Sequence, residues 1–160
     1  MSANKYLPHI LLLPEDDANT ELANGFVLEV QYLRRIQILP AAGGWTNACE
    51  TFFSQHVKGM RTYSERYFVL LIDFDDQIDR AAKIKERIPA DLRNRVFLIG
   101  TKTEPEALKK AGLGSLESIG RGLAKECRDG NRDIWSHDLL KENASEIDRL
   151  NVAVGRLLFE

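Results

Sequence analysis

Phe68-Val-Leu-Leu-Ile-Asp-Phe-Asp-Asp76 is the stretch on which the fold turns. Its first five residues form an unbroken apolar run, and three of the next four are carboxylates. Continuous rather than alternating apolar character suits a strand buried on both faces, as in a parallel sheet covered by helices. The abrupt change to acidic residues marks the carboxyl end of that strand.

Three further short apolar runs stand out, Ile10-Leu-Leu-Leu13, Ile36-Gln-Ile-Leu39 and Val96-Phe-Leu-Ile99, of which the first and last are likewise continuous. Each is followed by polar or Gly/Pro punctuation and then by residues with helical spacing. The order β-α-β-α-β-α-β predicts an α/β sandwich with crossover helices. Asp16 or Asp17 is expected to cap a helix reaching about Arg34, with Leu22, Phe26, Val30 and Leu33 on one side. Asn47-Ala-Cys-Glu50 offers a capping box after the Gly43-Gly44 turn, and Asp76 a cap for the helix ending at Pro89. Thr103-Glu-Pro-Glu106 reads as Thr at the N-cap, Pro in the first turn and Glu reaching back. Ser115 opens a helix after Gly112-Leu-Gly114. A last helix, expected to begin between Ser136 and Asn143, carries Ile147, Leu150, Val154 and Leu157 as one stripe.

A chain of 160 residues, 44% apolar and 29% charged, has the size and composition of one domain, read as 1–160. That composition excludes collagen-like, low-complexity and wholly disordered classes. With 22 Lys+Arg against 24 Asp+Glu the net charge is -2, so a nucleic-acid surface would have to be a local patch. Cys49 and Cys127 form no C-x-x-C and no disulfide framework, and both read as small core or helix residues. Met1 to Pro8 has no apolar region of signal-peptide length, and no run approaches the ~20 residues of a membrane span. The expectation is a soluble cytoplasmic protein with no membrane partner.

Ligands of open parallel sheets collect beyond the carboxyl ends of the strands. The residues there are Pro14-Glu-Asp-Asp17, Pro40-Ala-Ala-Gly-Gly44, Asp73-Phe-Asp-Asp76 and Gly100-Thr-Lys102. Asp73 and Asp75, two apart, are expected to leave the strand on one side, with Glu15 at the same height on the first strand. Carboxylates crowded this way repel one another, and a hard cation such as Mg²⁺ is the usual compensation. Asp16, Asp17, Asp76 and Asp79 read instead as caps or turn formers. His137 beside Trp135 reads as a capping or packing residue, and His9 and His56 as structural or exposed.

Glu15 after the first strand and Asp73-Phe-Asp75 after the third make the chain resemble the Toprim family, the metal-binding module of topoisomerases, primases and OLD-type nucleases. Ile38-Leu-Pro-Ala-Ala-Gly-Gly44 is similar to the strand-turn of OLD-like members, and the resemblance covers roughly residues 8–110. It implies a compact, Rossmann-like, four-stranded, mainly parallel sheet, leaving residues 111–160 as a helical C-terminal extension. It further implies Mg²⁺ or Mn²⁺ held by Glu15, Asp73 and Asp75, with Glu15 and Lys102 in catalytic roles. DNA or RNA would be the substrate, and, since OLD-type members pair the domain with an ATPase, a separate P-loop ATPase the partner. Family members often carry Gly after the Glu, where this chain has Asp16.

The function expected is metal-dependent phosphodiester cleavage. No tyrosine lies in a pattern that marks a topoisomerase nucleophile, and a primase needs elements beyond this length. Two other readings stand beside it. One is a Toprim-like module without chemistry that binds a partner. The other is a receiver-like signalling domain, with Asp16 and Asp17 as its acidic pair, Asp73 as phosphoacceptor and Thr101 as the switch hydroxyl. Against the receiver stand the long interval from Asp16 to Asp73, the lack of a fifth strand ending in Lys, and Asp75 without a task.

Overall fold

The computed structural model describes residues 2–77 and 79–160. Four strands, β1 (His9–Pro14), β2 (Ile36–Ile38), β3 (Arg66–Leu71) and β4 (Val96–Ile99), form one parallel sheet in the order β2-β1-β3-β4. Leu12 lies opposite Val69 and Leu13 opposite Leu70, so the two most apolar runs are central neighbours. Helices cover both faces, in a Rossmann-like three-layer arrangement. Burying such strands on both sides is what their continuous apolar sequence requires.

Residue parity divides the core. Leu11, Leu13, Phe68, Leu70 and Ile72 face α2 (Trp45–Thr51), α3 (Val57–Thr62) and α4 (Arg80–Arg87), where Phe52, Met60 and Ile84 are fully buried. Ile10, Leu12, Val69 and Phe97 face α1 (Asp17–Val27), α5 (Pro105–Lys110), α6 (Leu116–Asp129) and α7 (Ala144–Phe159). At roughly 1.5–3 kcal/mol for each large apolar side chain buried, these two layers carry most of the stabilisation. The α1–α6 crossing is close because Gly25 and Gly120 face it. A Cβ on either would run into the backbone of Glu117 or Leu22.

Helices α6 and α7 lie outside the 8–110 stretch of the family resemblance, yet they supply much of the second layer: Leu116, Ile119, Leu123, Ile147, Leu150 and Val154. The chain entering α7 also covers the free edge of β4. Asn143 accepts from the Gly100 N–H (3.0 Å) and donates to its carbonyl (2.7 Å), while Glu146 accepts from the Leu98 N–H (2.8 Å). Side chains thus do for this edge what a fifth strand would do.

Several helix boundaries differ from those read in the sequence. Helix α1 stops at Val27 rather than Arg34, because the chain turns to bury Val30 and to donate the Gln31 N–H to the Leu158 carbonyl. Gly44 (φ 125°), not Asn47, is the N-cap of α2, and Asn47 instead donates to the Gly43 carbonyl. A π-helical turn, Phe52–His56, separates α2 from α3. Glu104 replaces Thr103 as the cap of α5, because Pro105 fixes the first helical position. Asp79, not Asp76, precedes α4, and Asp76 lies in a left-handed turn (φ 59°). The last helix starts at Ala144 after a 3-10 turn over Lys141–Asn143, and Leu158 rather than Leu157 ends its buried stripe. Ser115 caps α6 as expected, accepting from the Ser118 N–H. Among the described residues, no helix is long and apolar enough to cross a membrane.

Candidate functional site

The carboxyl ends of β1 and β3 are adjacent, and their ladder continues past the strands through the Glu15 N–H, which donates to the Leu71 carbonyl (2.9 Å). The glycine turn after β2 folds over this end: the Gly43 and Gly44 N–H groups donate to the Glu15 carbonyl at 2.8 and 3.1 Å. Glu15 is then forced inward, and its Oε2 accepts the Asp73 N–H at 2.6 Å. Only 7% of Glu15 and 5% of Asp73 is exposed.

Asp73 points to the α1 side of the sheet, where the Asn19 amide donates to its Oδ1 at 3.0 Å. Asn19 is itself set by a reciprocal capping box with Asp16, each bond 3.2 Å long. Asp16 is therefore the helix cap anticipated from sequence, and it positions the partner of Asp73. Burial is the main force on the Asp73 carboxyl and pushes it up to about 7. The Asn19 hydrogen bond opposes that rise, while Glu15, Asp16 and Asp75 add to it. Glu15 is raised for the same first reason, burial, against the stabilising Asp73 N–H.

Asp75 departs from the expected placement beside Asp73. Its left-handed backbone (φ 47°) breaks the alternation of an extended strand. Its half-exposed carboxylate meets Arg80 Nη1 of α4 at 2.9 Å, on the opposite face from Asn19. The same Nη1 donates to the Asp73 carbonyl at 2.7 Å, and the guanidinium lies 4.4 Å from the centre of the Trp45 ring. Among the described residues, no group of three or more His, Cys, Asp or Glu side chains is placed to hold a metal ion. Glu15 and Asp73 are brought together, and Asp75 is turned toward Arg80.

Lys102 is exposed and makes no ion pair or hydrogen bond with those three carboxylates among the described residues. Its N–H donates to the Leu139 carbonyl, and it lines a separate cleft with Phe74, Asp76, Lys85, Glu142 and Glu146. Thr101, after β4, is fully buried. His137 accepts the Leu139 N–H, a packing role in the loop that reaches Lys102. His9 is buried between the Leu7 carbonyl and Arg66, and His56 packs on Phe68. Burial raises both thiols, Cys127 to about 11, so neither is a thiolate at neutral pH.

Asn19 and Arg80 were not singled out from sequence. Asn19 stands three residues after the cap Asp16, a spacing that could have flagged its side chain; Arg80 carries no local signal. Comparison with protein-family models, with curated proteins and with solved structures finds no match.

Proposed function

We propose that this chain is a Toprim-type, metal-dependent nuclease that cleaves a phosphodiester of DNA or RNA at the end of β1 and β3. One observation carries the reading: two adjacent carboxyls, both buried and both raised in pKa, sit at the strand ends where parallel sheets bind ligands. Each keeps one oxygen outside the hydrogen bonds just described, Oε1 of Glu15 and Oδ2 of Asp73. Mg²⁺ commonly uses one or two carboxylates and otherwise keeps water, so this pair fits it or Mn²⁺ without a complete cage.

When bound, the ion would polarise the phosphate and offset charge that develops on its oxygens. Asp73 would be a ligand, giving up its proton as the ion binds. Glu15 would serve as ligand or proton acceptor and keeps the Asp73 backbone in place. Arg80 orients the turn through the Asp73 carbonyl and pairs with Asp75, which would be a third ligand only if released from that pair. Lys102, with its flexible stem on the neighbouring cleft, would steady phosphate charge. A P-loop ATPase partner belongs to the same proposal.

The test is nicking of supercoiled plasmid in Mg²⁺, Mn²⁺ or EDTA by wild type and Asp73→Asn, alongside calorimetric titration with Mn²⁺. Metal-dependent nicking lost in the variant supports the reading. Mn²⁺ binding that is absent, or unchanged by Asp73→Asn, overturns it.

One observation favours the receiver-like alternative. Asp73 follows the end of β3, and the buried Thr101 follows the neighbouring β4, in the order β2-β1-β3-β4. Against it, Asp75, which has no task in a receiver, is held by Arg80. Acetyl phosphate labelling of Asp73 would select that alternative.

A further inference from the structure

The amino ends of β2, β1 and β3 form the opposite edge of the molecule, about 20 Å from Glu15 and Asp73 along six-residue strands. Here the surface changes character. Tyr6 is 80% exposed and Tyr32 41%. Tyr6 meets Tyr63 edge-on at 6.3 Å, and Lys5 Nζ lies 5.4 and 5.7 Å from the two ring centres. Arg66 stacks 4.6 Å from the Tyr63 ring, pinned by its bond to His9. Arg35 stacks 4.1 Å from the Tyr32 ring. The two halves are joined by the Asn4 N–H, which donates to the Arg34 carbonyl at 2.8 Å.

The result is two tyrosine–cation clusters along one end of the sheet, Lys5–Tyr6–Tyr63–Arg66 and Tyr32–Arg35, the latter with Arg35 Nη1 also donating to the Leu157 carbonyl (2.8 Å), on a chain whose net charge is -2. None of the three cations is in an ion pair among the described residues. Aromatic faces that stack bases, flanked by cations that follow a phosphate backbone, are how proteins hold single strands without reading sequence. A duplex offers the phosphates but keeps its base faces stacked inside.

We infer that this pair of clusters is a docking surface for single-stranded nucleic acid, separate from the carboxylate site. The inference rests on the proposal that nucleic acid is the substrate. It adds where the strand is held and in which form.

The experiment is fluorescence anisotropy of labelled oligo(dT) with the full chain in EDTA, which separates holding from cleavage. Wild type and Asp73→Asn are expected to bind alike. Tyr6→Ala with Tyr32→Ala should raise Kd about tenfold or more. Lys5→Glu should reduce the log Kd–log salt slope by ~0.7 for a lost phosphate contact. Lys110→Glu, on exposed α5, should change neither. These positions are surface ones, and unchanged melting curves show that the variants fold. Equal affinity of the tyrosine variant and wild type overturns the inference. So does preference for a duplex, or capture by phosphatidylserine–phosphatidylcholine vesicles when oligo(dT) is not bound. Metal-dependent nicking without oligo(dT) binding removes the docking surface and leaves the cleavage site standing; loss of nicking with binding intact does the reverse.

Discussion

Two buried carboxylates, Asp73 and Glu146, are each 5% exposed and each sit against the sheet, yet their surroundings drive them in opposite directions. For Glu146 burial is the largest single influence and favours the neutral acid. The Arg149 hydrogen bond, the Leu98 N–H and the charges of Lys85 and Arg149 together overcome it, and its pKa falls below the ordinary glutamate value. Asp73 has an amide and a row of other carboxylates as neighbours, and its pKa rises to about 7. Glu146 is a finished structural pair. Asp73 is buried without a cation on its carboxylate among the described residues, and such sites concentrate at functional centres.

The largest expected effect comes from Asp73→Asn. It keeps shape and removes the group proposed to hold the metal, so nicking should fall on the order of a hundredfold or more, about 2.7 kcal/mol. Folding stability at pH 8 should not fall, because burial already disfavours the charge. A variant that loses both activity and stability would show Asp73 to be structural, as Glu146 is.

Next in size is a pH dependence. Asp73 holds its proton more tightly folded (about 7) than at the ordinary value of 3.8, so protons favour folding. Its contribution is complete below about pH 4 and is lost as pH rises through 7. Between pH 5 and 8 the stability of wild type relative to Asp73→Asn should therefore drop by about 2 kcal/mol, read from paired urea melts. A difference that is flat across that range would mean water reaches the carboxyl.

Glu146→Ala should then cost roughly 1.5 kcal/mol, mainly through the stranded Leu98 N–H. Arg149 and Lys85 are about two-fifths exposed and can turn to water. Nicking per folded molecule should be unchanged, which an activity assay after a stability-matched dilution checks.

How far the sequence carried these distinctions depends on range. The sheet was legible because Phe68–Ile72 and Val96–Ile99 are too apolar to be anything but doubly covered, and Glu15 and Asp73 because strand ends are fixed by where those runs stop. Caps were legible where one residue decides them, as at Asp16 and Ser115. They were missed where a neighbour's backbone took over, as with Gly44 and Pro105. Asp75 was misplaced because period-two alternation assumes an extended strand, and a left-handed turn shows no sign in an Asp-Phe-Asp string. Arg80 and Glu146 act through tertiary contacts with residues far along the chain or on another element. Their roles exist only once α4 and α7 are docked.

Arg80→Gln gives the smallest effect and the sharpest test of the contrast. The Arg80–Asp75 pair is half-exposed at Asp75, so its loss together with the bond to the Asp73 carbonyl should cost about 1 kcal/mol. Removing the guanidinium should raise the Glu15 carboxyl further, since Arg80 opposes that rise. It should also free Asp75 to serve as a third ligand. Without competition from a fixed cation, Mn²⁺ should bind severalfold more tightly, even as the fold weakens slightly. Calorimetry on Arg80→Gln and on Arg80→Gln with Asp75→Asn separates the two causes. Tighter binding that survives Asp75→Asn reports lost repulsion alone, whereas a return to wild-type affinity assigns the gain to the Asp75 carboxylate. Weaker binding in Arg80→Gln would mean that the arginine builds the turn the ion needs, and that this end of the sheet is as finished as the edge at Glu146.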